Sequence, residues 1–303
     1  IMFKENHLPA KFVHLRLHSE FSLVDGLVRL KPLAQKIVNS MPAVALTDHM
    51  NLFAVVKFFK ACESLGIKPL LGADIYLYNP EDETKPSNLL LLCQNNQGYA
   101  NLRTLISRAY REGQQQGFPQ IKKSWLWEHS EGLIVLSGAQ HGEIGKALLN
   151  SNQLMAENLA NTYIKQFPDR FYIELQRTGR PQEDVYIKSA ISLAKKLDLP
   201  LVATNDVRFI DESDFFAHEA RVCIHDGYTL EDPRREQKYS AQQYLKTPDE
   251  MQSLFADIPE ALINAVEIAK RCNVALMLGE VFLPDFPIPD HYTIDSYLSE
   301  ISY

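Results

Sequence analysis

Alternating β-rich and helix-period segments through the first two-thirds of the chain predict an α/β fold: a seven-stranded β/α barrel followed by a small helical extension. Three observations carry this expectation. Seven short runs read as strands with helical patterns between most of them. No Gly-rich phosphate fingerprint follows the first strand, and neither GxGxxG nor GxxxxGK[ST] occurs anywhere, which favours a closed barrel over a doubly wound nucleotide-binding sheet. After Phe209 the strand signals stop and only helical patterns continue.

The first strand reads Phe12 to Leu17, and period two places Phe12, His14, Arg16 and His18 on one face and Val13, Leu15 and Leu17 on the other. Leu30, Leu33, Ala34, Ile37 and Val38 then mark one face of a helix. A strand over Ala43 to Thr47 is followed by a second helix with Leu52, Val55, Val56, Phe59 and Cys62 inward. Further strands are predicted over Pro69 to Leu77, Leu89 to Cys93, Leu133 to Ser137, Phe171 to Leu175 and Leu201 to Thr204. Helices over Asp214 to His225, Pro248 to Phe255 and Pro259 to Cys272 form the extension. The Pro-rich run from Phe282 to Pro289 reads as a stiff connector, because each proline removes a donor and biases its predecessor away from helix. The expected division is 2–210 for the barrel, 211–281 for the helical extension and 282–303 for the connector. The end of the chain halts in a helix-like pattern without a cap, so further domains are expected beyond it.

Composition narrows the function classes. The 303 residues are 46% hydrophobic and 23% charged, which fits a globular chain of about two domains. The longest apolar runs, such as Leu89 to Cys93, fall far short of the ~20 residues of a membrane span, and no membrane contact is expected. A net charge of −7 has the wrong sign for a domain that grips nucleic acid over its whole surface. Residues 1–60 are nevertheless +4, with eight Lys and Arg against four acids. Four scattered cysteines without a CxxC pair argue against a disulfide framework or a zinc ribbon. With no apolar signal-peptide core at the N-terminus, the expected compartment is the cytoplasm.

Strand ends carry the candidate chemistry, because a barrel builds its site where strands end. His18 ends the first strand, Thr47-Asp48-His49 the second, and Thr204-Asn205-Asp206-Val207-Arg208 the seventh, while Asp74 lies within the third. Other candidates are weaker. His218 and His225 flank an apolar helix segment, Trp125 and Trp127 straddle Leu126, and Lys122-Lys123 and Arg234-Arg235 are short charge pairs. Ser22 and Ser137-Gly138 lack a nucleophile-elbow motif.

Taken together, FVHLRLHSEFSLVDG (12–26), MPAVALTDHMNLF (41–53), GIKPLLGADIYL (66–77), NNQGYANLRTLISRAY (95–110), EGLIVLSG (131–138), FYIELQRTGRP (171–181), LPLVATNDVRFI (199–210) and FADIPEALINAVEIAKRCNV (255–274) carry a resemblance over nearly the whole chain. The chain resembles the PHP (polymerase and histidinol phosphatase) domain, in the form found at the N-terminus of bacterial replicative DNA polymerase III alpha subunits.

The resemblance implies a seven-stranded β/α barrel and, in members with an intact site, a trinuclear metal cluster that cleaves phosphoester bonds. His18, Asp25, His49 and Asp206 match ligand positions, and Asp74 stands where the family usually has Glu. Four positions depart: Arg16 replaces the first His of the HxH motif, Asn88 a His, Ala139 a Cys and Arg208 the final His. Guanidinium has no lone pair to give a metal and stays charged at physiological pH. Arg16 and Arg208 are therefore expected to pair with Asp25, Asp74 or Asp206 in a metal-free, inactive site. The alternative is a weak Zn²⁺ or Mn²⁺ site supporting residual phosphoesterase or pyrophosphatase activity. For the full-length protein the resemblance implies DNA replication by a DNA-directed DNA polymerase, with Mg²⁺ and the catalytic aspartates in domains beyond this chain. It also implies a scaffold role toward the rest of the alpha subunit and toward the epsilon proofreading exonuclease, with DNA held mainly by other domains.

Overall fold

Six strands form one curled, open sheet in the order β1-β2-β3-β6-β7-β8. They are β1 (Ala43–Leu46), β2 (Lys68–Leu77), β3 (Ser87–Cys93), β6 (Leu133–Leu136), β7 (Phe171–Gln176) and β8 (Leu201–Thr204); β4 (Gln114–Gln115) and β5 (Phe118–Pro119) make a separate small hairpin. The computed structural model describes residues 11–80, 82, 84–115, 117–281, 283 and 286–303. Residues 2–10 of the expected first domain, and Phe282, Pro284 and Asp285 of the expected connector, lie outside the described residues.

Six of the seven expected strands enter the sheet, and three of its five pairings are parallel, as expected. β3 runs antiparallel to both β2 and β6, while the β1–β2, β6–β7 and β7–β8 pairs are parallel. The first expected strand, 12–17, is extended but forms no regular ladder. It touches its neighbours at isolated points: Ala45 N–H donates to the His14 carbonyl, Thr47 N–H to the Leu17 carbonyl, and His18 N–H to the Val207 carbonyl. Leu17 N–H donates to Thr47 Oγ1 at 2.9 Å. A side-chain oxygen thus takes a donor that a ladder would pair with a carbonyl, and the regular pattern breaks there.

Helices cover the sheet because their apolar stripes recur at helical spacing. Helix α1 (Leu30–Ile37) buries Leu30, Leu33, Ala34 and Ile37. Helix α2 (Val55–Glu63) buries Val55, Phe58, Phe59 and Cys62, whereas Val56, expected inward, is 45% exposed. The i, i+3, i+4, i+7 pattern starting at Val55 sets the inward face and turns Val56 away from it. Helix α3 (Asn96–Glu112) is capped by the Asn95 side chain, which accepts from Gly98 N–H. An added Cβ at Gly98 would stand 1.8 Å from the Gly132 carbonyl oxygen, so only glycine lets α3 lie this close to the turn before β6.

The extension holds helices Phe215–Asp226, Pro248–Leu254 and Pro259–Arg271. It is stitched to the sheet by backbone bonds from Arg208 N–H to the Gln243 carbonyl and from Leu245 N–H to the Phe209 carbonyl. No described helix is long and apolar enough to cross a membrane.

Candidate functional site

Period two along the first segment has a direct consequence in the structure. Val13, Leu15 and Leu17 enter the apolar core, while Arg16 and His18 turn to the polar interior, and all are nearly inaccessible to solvent. The isolated parallel bridge His49–Asp74 continues the register of the β1–β2 pairing three residues beyond its last pair and sets those two residues side by side. Asp206, just past β8, has φ +49°, a left-handed conformation that Asp tolerates better than most residues.

These placements bring together most of the residues expected at the site. Arg16 Nη2 bonds Asp74, its Nη1 lies 3.0 Å from Glu174 Oε2, and its Nε lies 3.4 Å from Asp206 Oδ1. Arg208 bridges Asp25 at 2.5 Å and Asp206 at 2.9 Å, and its Nη1 is 3.2 Å from His49 Nε2. His18 Nε2 sits 3.4 Å from Asp74 and 3.5 Å from Asp206, with its ring 4.4 Å from that of His49. Asn88 Nδ2 stands 3.5 Å from Asp74 Oδ1, at the edge of hydrogen bonding. Ala139, buried in the turn after β6, contributes no polar side-chain atom.

Four residues of this lattice were not among the expected site residues. Glu174 on β7 is completely buried and also accepts from Thr204 Oγ1, Gln176 Nε2 and Gly138 N–H. Arg180 reaches Asp206 at 3.2 Å and also pairs with Glu183, whose carboxylate accepts from the Thr178 and Gly179 N–H groups. Tyr239 donates to Asp25 Oδ2 at 2.8 Å and Gln243 Nε2 to Asp206 Oδ2 at 2.9 Å. A glutamate in the otherwise apolar run FYIELQ was the one local signal, because an unpaired carboxylate is rarely buried. Tyr239 and Gln243 lie in an irregular stretch whose sequence gives no such sign.

Electrostatics follow from the interleaving. Burial alone raises the pKa of Asp25 and Asp206, but Arg208 reverses the effect, aided by His49 at Asp25 and by Arg16 at Asp206, and holds both well below the usual carboxylate range. Asp74 is likewise depressed, with Arg16 and His49 overriding its burial. Burial and Arg208 push His18 toward neutrality, yet its contacts with Asp206 and Asp74 prevail and raise its pKa. Asp25, Asp74, Glu174 and Asp206 thus face three guanidinium groups and an imidazole that favours its charged form.

His218 is fully buried, with Nε2 3.0 Å from the Asp25 carbonyl oxygen, so it holds the loop that presents Asp25. Trp125 is buried, and Trp127 packs edge-on to Tyr163 and Phe167. His225 pairs with Asp226 at the surface.

The family model for the PHP domain matches residues 14–178, more than half of the chain. The chain belongs to the PHP domain family. It is also similar to the DNA polymerase III subunit alpha of Pseudomonas fluorescens, with 54% identity over 297 residues, 98% of this chain and 25% of that protein. The DNA polymerase III subunit alpha of Escherichia coli (strain K12) is 51% identical over 286 residues, 94% of this chain and 25% of that protein. The chain therefore spans about a quarter of the length of these curated relatives. Among solved structures, an amidohydrolase from Chromobacterium violaceum with bound sulfate and no metal is 14% identical, with a TM-score of 0.41 over 69% of this chain and 96% of that one.

PHP membership raises the question of metal, and the donor set answers it. Among the described residues, His18, Asp25 and His49 offer ligand atoms within 4.8 Å of one another, and His18 Nε2, His49 Nδ1 and Asp25 Oδ1 make no hydrogen bond. The opposing side chains weigh more. Arg208 occupies Asp25 Oδ2 and His49 Nε2, while Arg16 engages Asp74 and Glu174. Neither guanidinium can donate an electron pair or lose its charge. A multinuclear cluster does not fit these residues.

Proposed function

We propose that this chain is the PHP domain at the N-terminus of a replicative DNA polymerase III alpha subunit and that its pocket is a metal-free, inactive scaffold. The observation that carries the scaffold reading is the insertion of Arg16, Arg180 and Arg208 among Asp25, Asp74, Glu174 and Asp206, fixed cations where the family holds metal ions. In the full-length protein the activity is DNA-directed DNA polymerisation in the cytoplasm, with Mg²⁺ and most DNA contacts in other domains. This domain stabilises the polymerase body and docks the epsilon proofreading exonuclease. Within it we assign 2–210 to the barrel, with the segment 12–18 acting as its seventh strand, 211–281 to the helical extension and 282–303 to the connector.

A single weakly held ion on His18, Asp25, His49 and Asp74 is the second reading, favoured by the ligand atoms of the first three, which lie within 4.8 Å of one another. Three or four N/O ligands can hold Zn²⁺ or Mn²⁺, which would supply an activated water for slow phosphoester hydrolysis.

Turnover assays separate the two. The purified chain is expected neither to extend a primed template nor to release phosphate from a phosphomonoester or pyrophosphate with added Mn²⁺. Mn²⁺-dependent release that disappears in both His18→Ala and Asp206→Asn would overturn the scaffold reading. Release that persists in both variants comes from a contaminating enzyme.

A further inference from the structure

The +4 charge of the first sixty residues has a location that the arginine–carboxylate pocket does not explain. A groove of about 700 Å³ runs between α1 and α2, lined by both helices and by Phe21 from the short 3-10 turn Glu20–Ser22 before α1. Its apolar lining comes from Leu30 and Ala34 of α1, Ala61 of α2 and Leu65 just after α2, with Gln35 and Ser64 beside them. Arg29, Lys31, Lys57 and Lys60 stand exposed on the rim. Among the described residues none of these four pairs with a carboxylate, whereas nearby Lys36 bonds Asp211. Glu20 is the one acid at the rim. Lys57 Nζ hangs 5.0 Å from the Phe21 ring centroid, so its stem covers apolar surface while its charge stays in water.

We infer that this groove docks an acidic amphipathic helix of a partner protein, apolar face on the floor and carboxylates against the four cations. Surface lysines and arginines in a globular chain are commonly balanced by nearby acids; here a chain of net −7 keeps four unpaired cations around one apolar trough. The length also matches. Eight residues of α1 span about 12 Å, two turns, which is what anchors at i, i+3, i+4 and i+7 require of a helix in a groove. A nucleic-acid strand would use the rim but leave the apolar floor unsatisfied, and the one aromatic ring present already lies under Lys57, unavailable for stacking. The groove shares none of the pocket's residues, so the inference deepens the docking role proposed above without resting on the metal-free reading of the pocket, and its failure would leave that reading standing.

The test uses the whole chain and a synthetic four-turn peptide, with leucines at helical spacing on one face and glutamates on both flanks. Fluorescence anisotropy is expected to show saturable binding that weakens as salt rises. Lys57→Glu combined with Lys60→Glu is expected to weaken it about tenfold, and Leu65→Ser, which leaves the charge unchanged, to weaken it as well. All these positions lie at the surface, and an unaltered melting temperature establishes that the variants are folded. Absence of saturable binding, or equal binding of a peptide with the same composition in scrambled order, overturns the inference. So does tighter binding of a single-stranded oligonucleotide than of the peptide.

Discussion

Arg16→Met is expected to destabilise the chain by about 3–5 kcal/mol, the cost of breaking a buried ion pair from one side. Methionine fills most of the space but leaves Asp74 and Glu174, both wholly buried, without their guanidinium. Asp74 keeps His18, His49 and Asn88 beside it and Glu174 keeps the neutral donors of Gly138, Gln176 and Thr204, but none of these replaces the fixed charge, so the penalty is the carboxylates' desolvation more than any lost attraction. Arg16→Lys should recover only part of the loss, because one ammonium cannot span two carboxylates as the planar fork does. Adding Glu174→Gln to Arg16→Met should recover part of it too, since a neutral amide costs less to bury. Urea unfolding of the single and double variants reads the coupling directly. A loss below about 1 kcal/mol for Arg16→Met, the range of a surface pair, would mean that the guanidinium is incidental.

Acidification is expected to unfold the chain in two stages. His14 is completely buried, and burial, partly countered by its contact with the Lys246 carbonyl oxygen 2.7 Å away, pushes its pKa down to about 4. As pH falls below roughly 6.5 the unfolded imidazole takes up a proton while the folded one stays neutral. The unfolded state then binds more protons, and stability falls with pH by roughly 3 kcal/mol at full development. Below about pH 4 the carboxyls of Asp25, Asp74 and Asp206 take over. Their folded pKa values lie below the unfolded ones, so the stability they supply above the unfolded value is lost as pH drops through the folded values. His18 works in the other direction. Its raised pKa supplies stability that is complete below the unfolded value and lost as pH rises through the folded one. The thermal midpoint is therefore expected to peak near neutrality, fall from pH 6.5 and fall more steeply below 4. His14→Gln should shrink the first stage without abolishing it, because His141, pushed down to about 3 by burial and by Arg180, contributes over the same window, and it should leave the second. A wild-type midpoint constant down to pH 4 would contradict the assignment.

How much of this was legible in the sequence depended on how local each signal was. Six strands and the helices of the extension announced themselves through period and turn residues, and the polar face of 12–18 followed from alternation alone. Two features escaped because they depend on pairing rather than propensity: the antiparallel setting of β3, and the irregular bridging of 12–18 through the Thr47 hydroxyl. At the site, His18, His49, Asp206 and Arg208 stood out at or just beyond strand ends, whereas Arg16 was marked as a site residue only by the resemblance. Tyr239 and Gln243 approach it from more than thirty residues beyond β8, where no motif marks them. Burial also depends on tertiary contact, which is why His218 reads as a helix-face histidine in sequence and proves to hold the Asp25 backbone.

Whether fixed guanidinium charge has taken the place of metal charge is read most directly by thermal unfolding in chelator and then in excess Mn²⁺ or Zn²⁺. A native-state ion at a hundred times its dissociation constant adds about 2.7 kcal/mol, and in a domain of this size that raises the midpoint by roughly 5 °C or more. Arg16 and Arg208 already occupy the carboxylates, so the expected midpoint is the same in both conditions to within about a degree. A metal-dependent rise of roughly 5 °C that vanishes in His18→Ala would contradict it.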